Sequence, residues 1–600
     1  MATSNSFLMD SLSDSLIAAV TETSFNVPSH PPIAEKPVKP LAELNLPPAV
    51  VACYQRAGIS HLFAWQADCL EKASSSGKRN FIFSAPASAG KTIVSELLLI
   101  KSVLETKRKA LFIEPYVSIV QEKAAYFRRL FSSLHLRIAS FAGASDSHNS
   151  FSNSHIIMCT IEKANSIINR LLSNRDDLSE IGIVIVDELH WIGETNRGYL
   201  LELLLSKIIY YNQLKTTNNP VQIIGMSATI PNLNQLAQWL HAETFETMFR
   251  PIPLEEYIKV DSVLYNKQFM PIRQLHLSER WNQGDSEGVT EIVWSVIEHN
   301  CRSVLVFCAT KHWCEVLAKL LAKNFRCIME DKQINAFDAA KLEDVLEQLR
   351  RTPAGLDADL ACSIPMGIAF HHAGLTIDER EIIENAYRAN ILRVIVCTST
   401  LSSGVNLPAR LVIIRSPLQN GRCIDLSAYL QMVGRAGRKG YDDYAESILI
   451  CSKKEVDLVQ KMFEQEKTKA VNSCFFEAET HTSLKRALLE IIASGKANTK
   501  EQIISYIKST FFYICTNSDK SILDEQSTID KCLSWLCHNE LIRYDEKENL
   551  ADENDLRYEP TQLALAVISS SINPDDGLKL VVELTKRNIQ KSNNHQRIYK

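Results

Sequence analysis

Short, continuous apolar runs separated by amphipathic stretches dominate the N-terminal half of the chain. Five of these runs have the length of a strand: 81–84, 110–115, 155–160, 181–186 and 221–226. A run that is apolar at every position is typical of a parallel strand buried on both faces, and strands that alternate with helices indicate a doubly wound sheet. We therefore predict a first α/β domain built on a parallel sheet.

A second series of apolar runs follows the first. Its members are 303–310, 366–375, 391–400, 410–415 and 446–451. The same alternation predicts a second parallel sheet of similar kind. This part of the chain has no phosphate-binding loop of its own. We therefore expect it to contribute groups to a cleft formed with the first domain.

The two ends of the chain follow other patterns. Residues 1–45 are rich in Ser and Pro and have no periodicity, which predicts a disordered leader. From Thr482, three helical runs and two short strands around a polar loop predict a winged-helix domain, and a further helix begins after Asp575. Acids in the polar loop would repel phosphate, so we expect a spacer that packs against the second α/β domain rather than a DNA-binding module. These acids are Glu546, Glu548, Asp552, Glu553 and Asp555.

Composition narrows the class of protein. A chain of 600 residues is too long for one core and indicates three or four domains. The net charge of −5 and the pI near 6.3 exclude a generally basic protein, so any nucleic-acid contact must be local. Fifteen cysteines without a C-x-x-C pair or a zinc-type Cys/His quartet predict reduced thiols in an intracellular protein. No apolar run reaches the ~18 residues of a membrane span, and no targeting signal is recognisable.

The segment FIFSAPASAGKT (81–92) predicts a strand, a loop of small residues and the start of a helix. Such a loop presents backbone N–H groups and a helix N-terminus to a polyphosphate such as that of ATP. Lys91 would reach the β- and γ-phosphates, and Thr92 would hold Mg²⁺. The loop itself consists of Ala85, Pro86, Ala87, Ser88, Ala89 and Gly90. Ala85 replaces the usual Gly, so the segment alone is equally compatible with a small-residue turn beside an exposed lysine.

Two acids follow the apolar run 181–186 directly. Carboxylates at the C-terminal end of a parallel strand face the crevice in which α/β sheets bind ligands. Asp187 would hold Mg²⁺, and Glu188 would orient or deprotonate an attacking water. The alternative is a solvated loop start, which the phosphate loop upstream disfavours. The run 221–226 leads into Ser227-Ala228-Thr229, in which the Ser227 and Thr229 hydroxyls are able to bond the acidic segment or to cap a helix.

Further candidates lie outside these two segments. Gln66 is in a helical segment before the phosphate loop, and its amide is suited to the edge of an adenine. Near the other end of the α/β part is QMVGRAGR (431–438). On a helix Arg435 and Arg438 would share a face and point two guanidinium groups at one γ-phosphate. The two glycines there cost about 1 kcal/mol each in a helix, which favours close approach to a partner over a structural role.

These segments, taken in order, resemble the motifs of the DELH-type superfamily 2 helicases. The matching segments are APASAGKT (85–92), DELH (187–190), MSATIPN (226–232), FHHAGL (370–375), TSTLSSGVNLPAR (398–410) and QMVGRAGR. Within that superfamily, CTIEKAN (159–165), RGYLLELLLSK (197–207) and QMVGRAGRKG (431–440) are similar to the polymerase-theta group of helicases. The resemblance runs from about Leu46 to the end of the chain.

The resemblance implies a fold and an activity. The fold comprises two RecA-like domains (46–250 and 251–475), a winged-helix domain (476–573) and the start of a helical domain (574–600). The activity is 3′→5′ DNA helicase action driven by ATP and Mg²⁺ on single-stranded and partly duplex DNA. Nuclear repair of double-strand breaks through short homologies is the implied process. A polymerase domain would lie elsewhere in a longer protein, and the sequence leaves the oligomeric state open.

The resemblance also assigns residues. Lys91 and Thr92 bind phosphate and Mg²⁺, and Asp187 and Glu188 serve the metal and the water. It also assigns the sensing of the γ-phosphate to Gln431, Arg435 and Arg438. Contacts to the nucleic-acid backbone are assigned to Thr160, Thr398 and Ser399. Two departures are Ala87, where the family has Thr, and the segment Glu114-Pro115-Tyr116.

Between the last two motifs, Asn420-Gly421 predicts a β-hairpin turn. We hypothesise that Leu418, Gln419 and Arg422 surround a wedge that separates strands, with Arg422 contacting DNA. Three alternatives remain open at this stage. They are a related repair helicase without a polymerase partner, an RNA helicase of the same superfamily, and an ATP-gated scaffold that clamps DNA without unwinding it.

Overall fold

The chain forms two compact units, one of which is interrupted by the other. The computed structural model describes residues 38–142, 151–173, 178–194, 197–214, 219–228, 230–298, 302–334, 336–399, 401, 407–419, 421–438, 442–464, 470–476, 481–518, 525–544 and 557–598. The split unit contains described residues of 38–85, 90–248 and 470–598, and the inserted unit contains those of 86–89 and 249–464. The predicted leader ends earlier than residue 45, because Val38–Pro40 forms a strand and Leu41–Glu43 forms a 3₁₀ turn. Residues 1–37, Asn420 and the acids of the polar loop lie outside the described residues.

The split unit is built on a parallel sheet, as the apolar runs predict. Its strands are β1 (Val38–Pro40), β2 (His61–Phe63), β3 (Asn80–Ser84), β4 (Lys109–Glu114), β5 (Ile138–Phe141), β6 (Ile156–Thr160), β7 (Ile181–Val186), β8 (Gln222–Ser227) and β9 (Ala242–Glu246). β1 and β2 pair with each other, and the other seven form one sheet in the order β5-β6-β4-β7-β8-β3-β9 with every pair parallel. Because β3, β8 and β7 are neighbours, the loops after them meet at one edge.

Helices cover both faces of this sheet. They are α1 (Pro48–Arg56), α2 (Ala64–Ser75), α3 (Lys91–Thr106), α4 (Val117–Leu130), α5 (Ile161–Ser173), α6 (Gly198–Leu214) and α7 (Leu233–Leu240), with 3₁₀ turns at Leu41–Glu43, Ser132–Leu134, Leu178–Glu180 and Leu189–Gly193. In α6 every residue from Gly198 to Tyr211 is buried. A helix that is buried on all sides needs partners beyond one sheet face.

The inserted unit has a second sheet whose centre is parallel. Its strands are β10 (Leu254–Val260), β11 (Val263–Tyr265), β12 (Pro271–Gln274), β13 (Val304–Cys308), β14 (Ile368–His371), β15 (Val394–Thr398), β16 (Leu411–Ile414), β17 (Leu418–Gln419), β18 (Arg422–Cys423) and β19 (Ala445–Cys451). Eight of them form the order β12-β11-β10-β19-β16-β13-β15-β14. The five predicted runs are β13, β14, β15, β16 and β19, and β10 joins them as a sixth parallel strand that was not predicted. β11 and β12 extend the edge beyond β10 in antiparallel fashion.

Seven described helices flank this second sheet. They are α8 (Val289–Ile297), α9 (Lys311–Lys332), α10 (Ala339–Arg350), α11 (Ala358–Ser363), α12 (Ile377–Arg388), α13 (Leu426–Val433) and α14 (Val456–Glu464), with 3₁₀ turns at Ile364–Met366 and Lys453–Glu455. Aliphatic side chains of the strands and the inner helix faces form one continuous core.

The C-terminal segment contains the predicted helices and strand pair. After a 3₁₀ turn at Cys474–Phe476 come α15 (Thr482–Ala493), α16 (Lys500–Lys508), α17 (Phe511–Ser518), α18 (Glu525–His538), β20 (Ile542–Tyr544), β21 (Tyr558–Pro560), α19 (Gln562–Ser569) and α20 (Pro574–Ile598). The strands pair in antiparallel fashion. The second predicted helical run is in fact two helices, because the chain breaks at Ser509 and Thr510.

The prediction that this segment packs against the second α/β domain is wrong. It belongs to the split unit, and α15 packs on α6 through a buried polar network. Glu490 accepts a bond from Lys207 Nζ at 2.7 Å and one from Arg486 Nε at 2.9 Å. Asn165 and Asn169 complete the network. Sequence reasoning missed this because a lysine and a glutamate inside two apolar helices give no indication that they pair over 283 residues.

A second buried acid ties the returning chain to α6. Glu202 is fully buried and accepts bonds from Ser473 Oγ and from the Phe512 backbone N–H, both at 2.7 Å. Burial raises the pKa of this carboxyl to about 7. Both polar contacts therefore fix α6 against residues that follow the inserted unit.

Two of the compositional expectations concern thiols and membranes. The fourteen cysteines within the described ranges are all free, in agreement with the predicted reduced state. In the described part of the chain, no helix combines the length and the hydropathy required to cross a bilayer.

Candidate nucleotide site and nucleic-acid interface

The phosphate loop follows β3 and leads into α3, in the predicted order. Gly90 has φ +87° and Ser88 has φ +63°, so the loop turns through the left-handed region just before the helix. A side chain at Gly90 would also collide with Gln66, since a Cβ there would lie 2.7 Å from its Nε2. Lys91 Nζ donates to the Ala85 carbonyl at 3.0 Å, which folds the ammonium back over the loop. The loop thus has the compact, basic form that a polyphosphate requires.

Gln66 braces this loop from the side. Its Nε2 donates to the Gly90 carbonyl at 2.9 Å, and its Oε1 accepts from the Phe63 N–H at 2.9 Å. The side chain is only 4% exposed. The assignment of Gln66 to adenine binding stays a prediction, and the structure adds a second role in holding the loop where the helix begins.

The acidic segment meets the loop at the same sheet edge. Asp187 follows β7, and Thr160 and Glu114 end the neighbouring strands β6 and β4, where they are aligned with each other. Lys123 of α4 contacts Glu114 and donates to Asp187 Oδ2 at 2.8 Å. Three strand ends and one helix therefore place two carboxylates, one ammonium and one hydroxyl side by side.

Charge at this edge is set by Lys123. Burial would raise the pKa of the Asp187 carboxyl, but the Lys123 ammonium outweighs it and holds that pKa below its usual range. Burial likewise raises the pKa of Glu114, which stays well above its ordinary value despite Lys123. Asp187 is therefore the ionised carboxylate of the pair and is the one suited to a divalent cation.

Glu188 and His190 continue the segment into the next loop. Glu188 has φ +52°, an uncommon backbone state that turns the chain sharply after the strand. His190 Nδ1 lies 3.1 Å from Ser227 Oγ and 3.4 Å from Glu188 Oε2. Burial lowers the pKa of His190, so its ring is neutral at pH 7. The predicted bond between Ser227 and the acidic segment is confirmed, whereas Thr229 lies outside the described residues.

The donor set fits a nucleotide bound with Mg²⁺. Asp187 is ionised, its Oδ1 accepts the Glu188 N–H at 2.9 Å, and Thr92 lies in the first turn of the helix after the loop. Within the described ranges no cluster of three or more His, Cys, Asp and Glu could hold a metal by itself. A cation here would share its coordination with phosphate oxygens and water, which is the usual mode of Mg²⁺.

The motif at 431–438 does not form the predicted helix. α13 ends at Val433, so Gln431 is helical but Arg435 and Arg438 lie in the turn and loop beyond it. Gly437 has φ +97°, a conformation that glycine adopts without strain and that keeps the chain after Val433 from continuing as a helix. The prediction that the two arginines share a helix face is therefore wrong. The predicted close approach is confirmed at Gly434, where a Cβ would lie 2.5 Å from Ala87 Cβ. The Gly434 carbonyl also accepts a bond from Ser88 Oγ at 2.6 Å.

Arg438 is held by an acid that sequence reasoning missed. Its Nε donates to Asp442 Oδ2 and one terminal nitrogen donates to Asp442 Oδ1, both at 3.0 Å, which makes a bidentate pair. The Asp442 side chain is 1% exposed. The spacing of four residues between Arg438 and Asp442 could have indicated this pair, but charged residues at that spacing are also common on exposed surfaces. The γ-phosphate role of Gln431, Arg435 and Arg438 stays a prediction.

The predicted hairpin is present in the inserted unit. Leu418 pairs with Cys423 and Gln419 pairs with Arg422 in antiparallel register, and Gly421 has φ +75°. Arg422 is exposed. A surface pocket of about 540 Å³ lies at its base and is lined by Gln419, Arg422, Cys423, Ile424, Asp425 and Ala428.

The remaining predicted DNA contacts lie in two places. Thr160 is 4% exposed at the end of β6 in the split unit. Thr398 ends β15 of the inserted unit, and Ser399 donates to Gln419 Oε1 at 3.3 Å, which joins it to the hairpin. The structure therefore brings Ser399 and the hairpin together, while the contact of any of these residues with DNA stays a prediction.

Comparison with known proteins identifies three sequence families along the chain. The family described as "DEAD/DEAH box helicase" matches residues 63–236, "Helicase conserved C-terminal domain" matches 344–440, and "Helix-turn-helix domain" matches 445–543. The first match contains strands β3 to β8 of the first sheet, the second contains β14 to β16 of the second sheet, and the third begins at β19 and continues into the C-terminal helices.

Whole proteins with similar sequences have helicase or polymerase names. DNA polymerase theta of Mus musculus is 41% identical over 582 residues, which is 91% of this chain and 22% of that protein. Helicase POLQ-like of Homo sapiens is 33% identical, covering 88% of this chain and 48% of that protein. ATP-dependent DNA helicase Hel308 of Caldivirga maquilingensis is 30% identical, covering 89% and 67%. The chain thus spans about a quarter of the length of the polymerase theta relatives that it matches.

Proposed function

Because this chain belongs to the DNA helicase family that contains Hel308 and the helicase part of polymerase theta, we propose that it hydrolyses ATP to move along single-stranded DNA and to separate duplex strands. The direction would be 3′→5′. The observation that carries the proposal is the meeting of Lys91, Asp187 and Ser227 at one edge of a single sheet, after the neighbouring strands β3, β7 and β8.

The residues of that edge divide the chemistry. Lys91 would leave the Ala85 carbonyl to bind the β- and γ-phosphates, and the loop N–H groups would hold the rest of the triphosphate. Glu188 would take a proton from the water that attacks the γ-phosphate. His190, neutral and bonded to Ser227, would hold Glu188 in place. Mg²⁺ bound by Thr92 and Asp187 would neutralise charge on the phosphates.

Lys123 explains how Asp187 remains ionised and oriented before nucleotide binds. Its ammonium lies 2.8 Å from Asp187 Oδ2 and also contacts Glu114. A magnesium ion would compete with Lys123 for this carboxylate, while Oδ1 keeps its bond to the Glu188 N–H. The carboxylate is therefore preorganised rather than dependent on the cation for its position.

The substrate we propose is DNA, and the compartment we propose is the nucleus. The printed names of the relatives concern DNA rather than RNA, and with the net charge of −5 any nucleic-acid contact would have to be local. We propose that the chain acts in the nucleus, in double-strand break repair that joins ends through short homologies. In the polymerase theta relatives such a segment is part of a longer protein, and we propose the same arrangement, with a polymerase domain, for this chain.

The test is ATP hydrolysis by the purified chain without nucleic acid, with single-stranded DNA and with single-stranded RNA. Stimulation by DNA well above that by RNA is expected, and Lys91→Ala should remove it. Equal or stronger stimulation by RNA would favour an RNA helicase. DNA binding without hydrolysis would favour an ATP-gated scaffold.

Removal of the hairpin should separate ATP hydrolysis from unwinding. We expect replacement of residues 419–422 by two glycines to abolish strand displacement while DNA-stimulated ATP hydrolysis stays within about twofold, because none of these four residues is among those assigned to nucleotide. The same replacement of residues 351–354, an exposed turn of the inserted unit, is the control. Equal loss of both activities would show that residues 419–422 are not a wedge.

A further inference from the structure

Trp313 is a large aromatic side chain on the surface of the inserted unit. It lies in the first turn of α9, directly after β13, and its backbone N–H bonds the Thr310 hydroxyl at 3.3 Å. Its exposed fraction is 46%, whereas the other six of the seven tryptophans in the chain are buried or half-buried. A single exposed apolar side chain is ordinary on a protein surface, so the case for a partner of Trp313 rests on what supports its ring and on which residues share its edge of the sheet.

One face of the indole is already supported. The Arg415 guanidinium carbon lies 4.6 Å from the centre of the ring. Arg415 is itself fixed, since its backbone N–H bonds the Phe307 carbonyl at 3.0 Å and its Nε bonds Glu287 Oε2 at 2.7 Å. The ring is therefore backed by a rigid planar group.

The charge of this support favours a neutral partner. Glu287 balances Arg415, so the surface beneath the indole has little net charge to attract a phosphate. A flat, uncharged ring system is the natural partner of the outer indole face. Nucleobases meet that description, and single-strand binding proteins commonly stack them on aromatic side chains.

The neighbouring residues place a strand at this edge of the sheet. Thr398 is aligned with Cys308 across β13 and β15, and Ser399 is bonded to Gln419 of the hairpin. Trp313, five residues after Cys308, thus shares the carboxyl edge with the residues proposed to hold the DNA backbone. We propose that Trp313 is a stacking platform for one base of the single strand, backed by the Arg415–Glu287 pair. This inference rests on the proposed function.

The test measures the affinity of the whole chain for a labelled oligothymidylate by fluorescence anisotropy. Trp313→Ala is expected to weaken binding about fivefold or more, and Trp313→Phe to restore most of the loss. For the intact chain, removing the base at one position of the strand should cause a similar loss. Trp313→Ala should show no further loss with that abasic strand, because both changes remove the same contact.

Controls separate stacking from other effects. Ile377→Ala, which removes another exposed apolar side chain of the inserted unit, should leave affinity unchanged. Unchanged affinity of Trp313→Ala, or an equal further loss on every abasic strand, would overturn the platform while DNA-stimulated hydrolysis by the intact chain still supported the proposed function. Failure of the intact chain to bind DNA at all would overturn both.

Discussion

Replacement of Glu188 by Gln is expected to lower the steady-state rate of ATP hydrolysis by ~100-fold or more. The amide keeps the shape of the side chain but cannot accept the proton of the attacking water, and general base catalysis contributes on the order of 10²–10⁴ in rate. Glu188 lies within 3.4 Å of the neutral ring of His190 and follows the carboxylate proposed to hold Mg²⁺. Nucleotide binding should persist, since Lys91 and the loop are unchanged. The rate is measured by phosphate release, and binding by a fluorescent ATP analogue.

Glu194 provides a matched control for that substitution. It lies in the same loop, is exposed, and loses the same charge in Glu194→Gln. A rate within about twofold of the unchanged chain is expected, because a surface charge is largely screened. Similar losses in both variants would show that charge in the loop, rather than a base at Glu188, governs hydrolysis.

Replacement of Glu490 by Leu is expected to destabilise the split unit by about 3–5 kcal/mol. The substitution leaves Lys207 and Arg486 buried without their carboxylate, and an uncompensated buried charge costs about that much. Both partners are almost fully buried, so solvent cannot replace the lost carboxylate. Urea unfolding gives the free energy, and hydrogen exchange in residues 482–493 locates the loss on α15.

Acid should reduce the difference in unfolding free energy between the unchanged chain and Glu490→Leu. Burial would raise the pKa of Glu490, but Lys207 and Arg486 outweigh it and lower that pKa to about 2. The carboxylate therefore stabilises the folded state above the ordinary glutamate pKa of about 4.3, and this contribution is lost as the pH falls toward 2. The stability difference should be constant from pH 5 to 7 and should shrink below pH 4.

Glu202→Gln is the control, on α6, the helix that carries Lys207. Its carboxyl contacts Ser473 and a backbone N–H rather than a cation, so the amide leaves no buried charge behind. We expect a change of about 1 kcal/mol at pH 7. An equally large loss in Glu202→Gln would mean that packing of α6, rather than charge pairing, explains the effect at Glu490.

The strands that are buried on both faces could be predicted from sequence, even β14 at an edge, and the partly exposed strands could not. The run 181–186 is apolar at every position and became β7 with the same limits. The edge strands β9 and β12 have mixed patterns such as AETFE and PIRQ, since solvent covers part of them. Period and hydropathy identify strands only where both faces are buried.

The candidate site divides in a similar way. Lys91, Asp187 and Glu188 could be named because each stands at a fixed place in a short local motif. Lys123 could not be named, because its partners Glu114 and Asp187 lie at the ends of two separate strands of the sheet. Asp442 could not be named, because a spacing of four residues from an arginine is common in ordinary sequence. The error at Arg435 and Arg438 arose because both glycines were placed inside a helix, whereas the helix ends at Val433 and Gly437 has a φ of +97°.

The interruption of the split unit has a consequence during synthesis. Lys207 leaves the ribosome 283 residues before Glu490, and at about 5–20 residues per second its partner arrives roughly 15–60 s later. During this interval α6 lacks its contacts with Ser473, Glu490 and Phe512, although every residue from Gly198 to Tyr211 is buried in the finished protein. The nascent chain must therefore keep an apolar helix face from aggregating while the whole inserted unit is translated, and the unit begun first is the last to close.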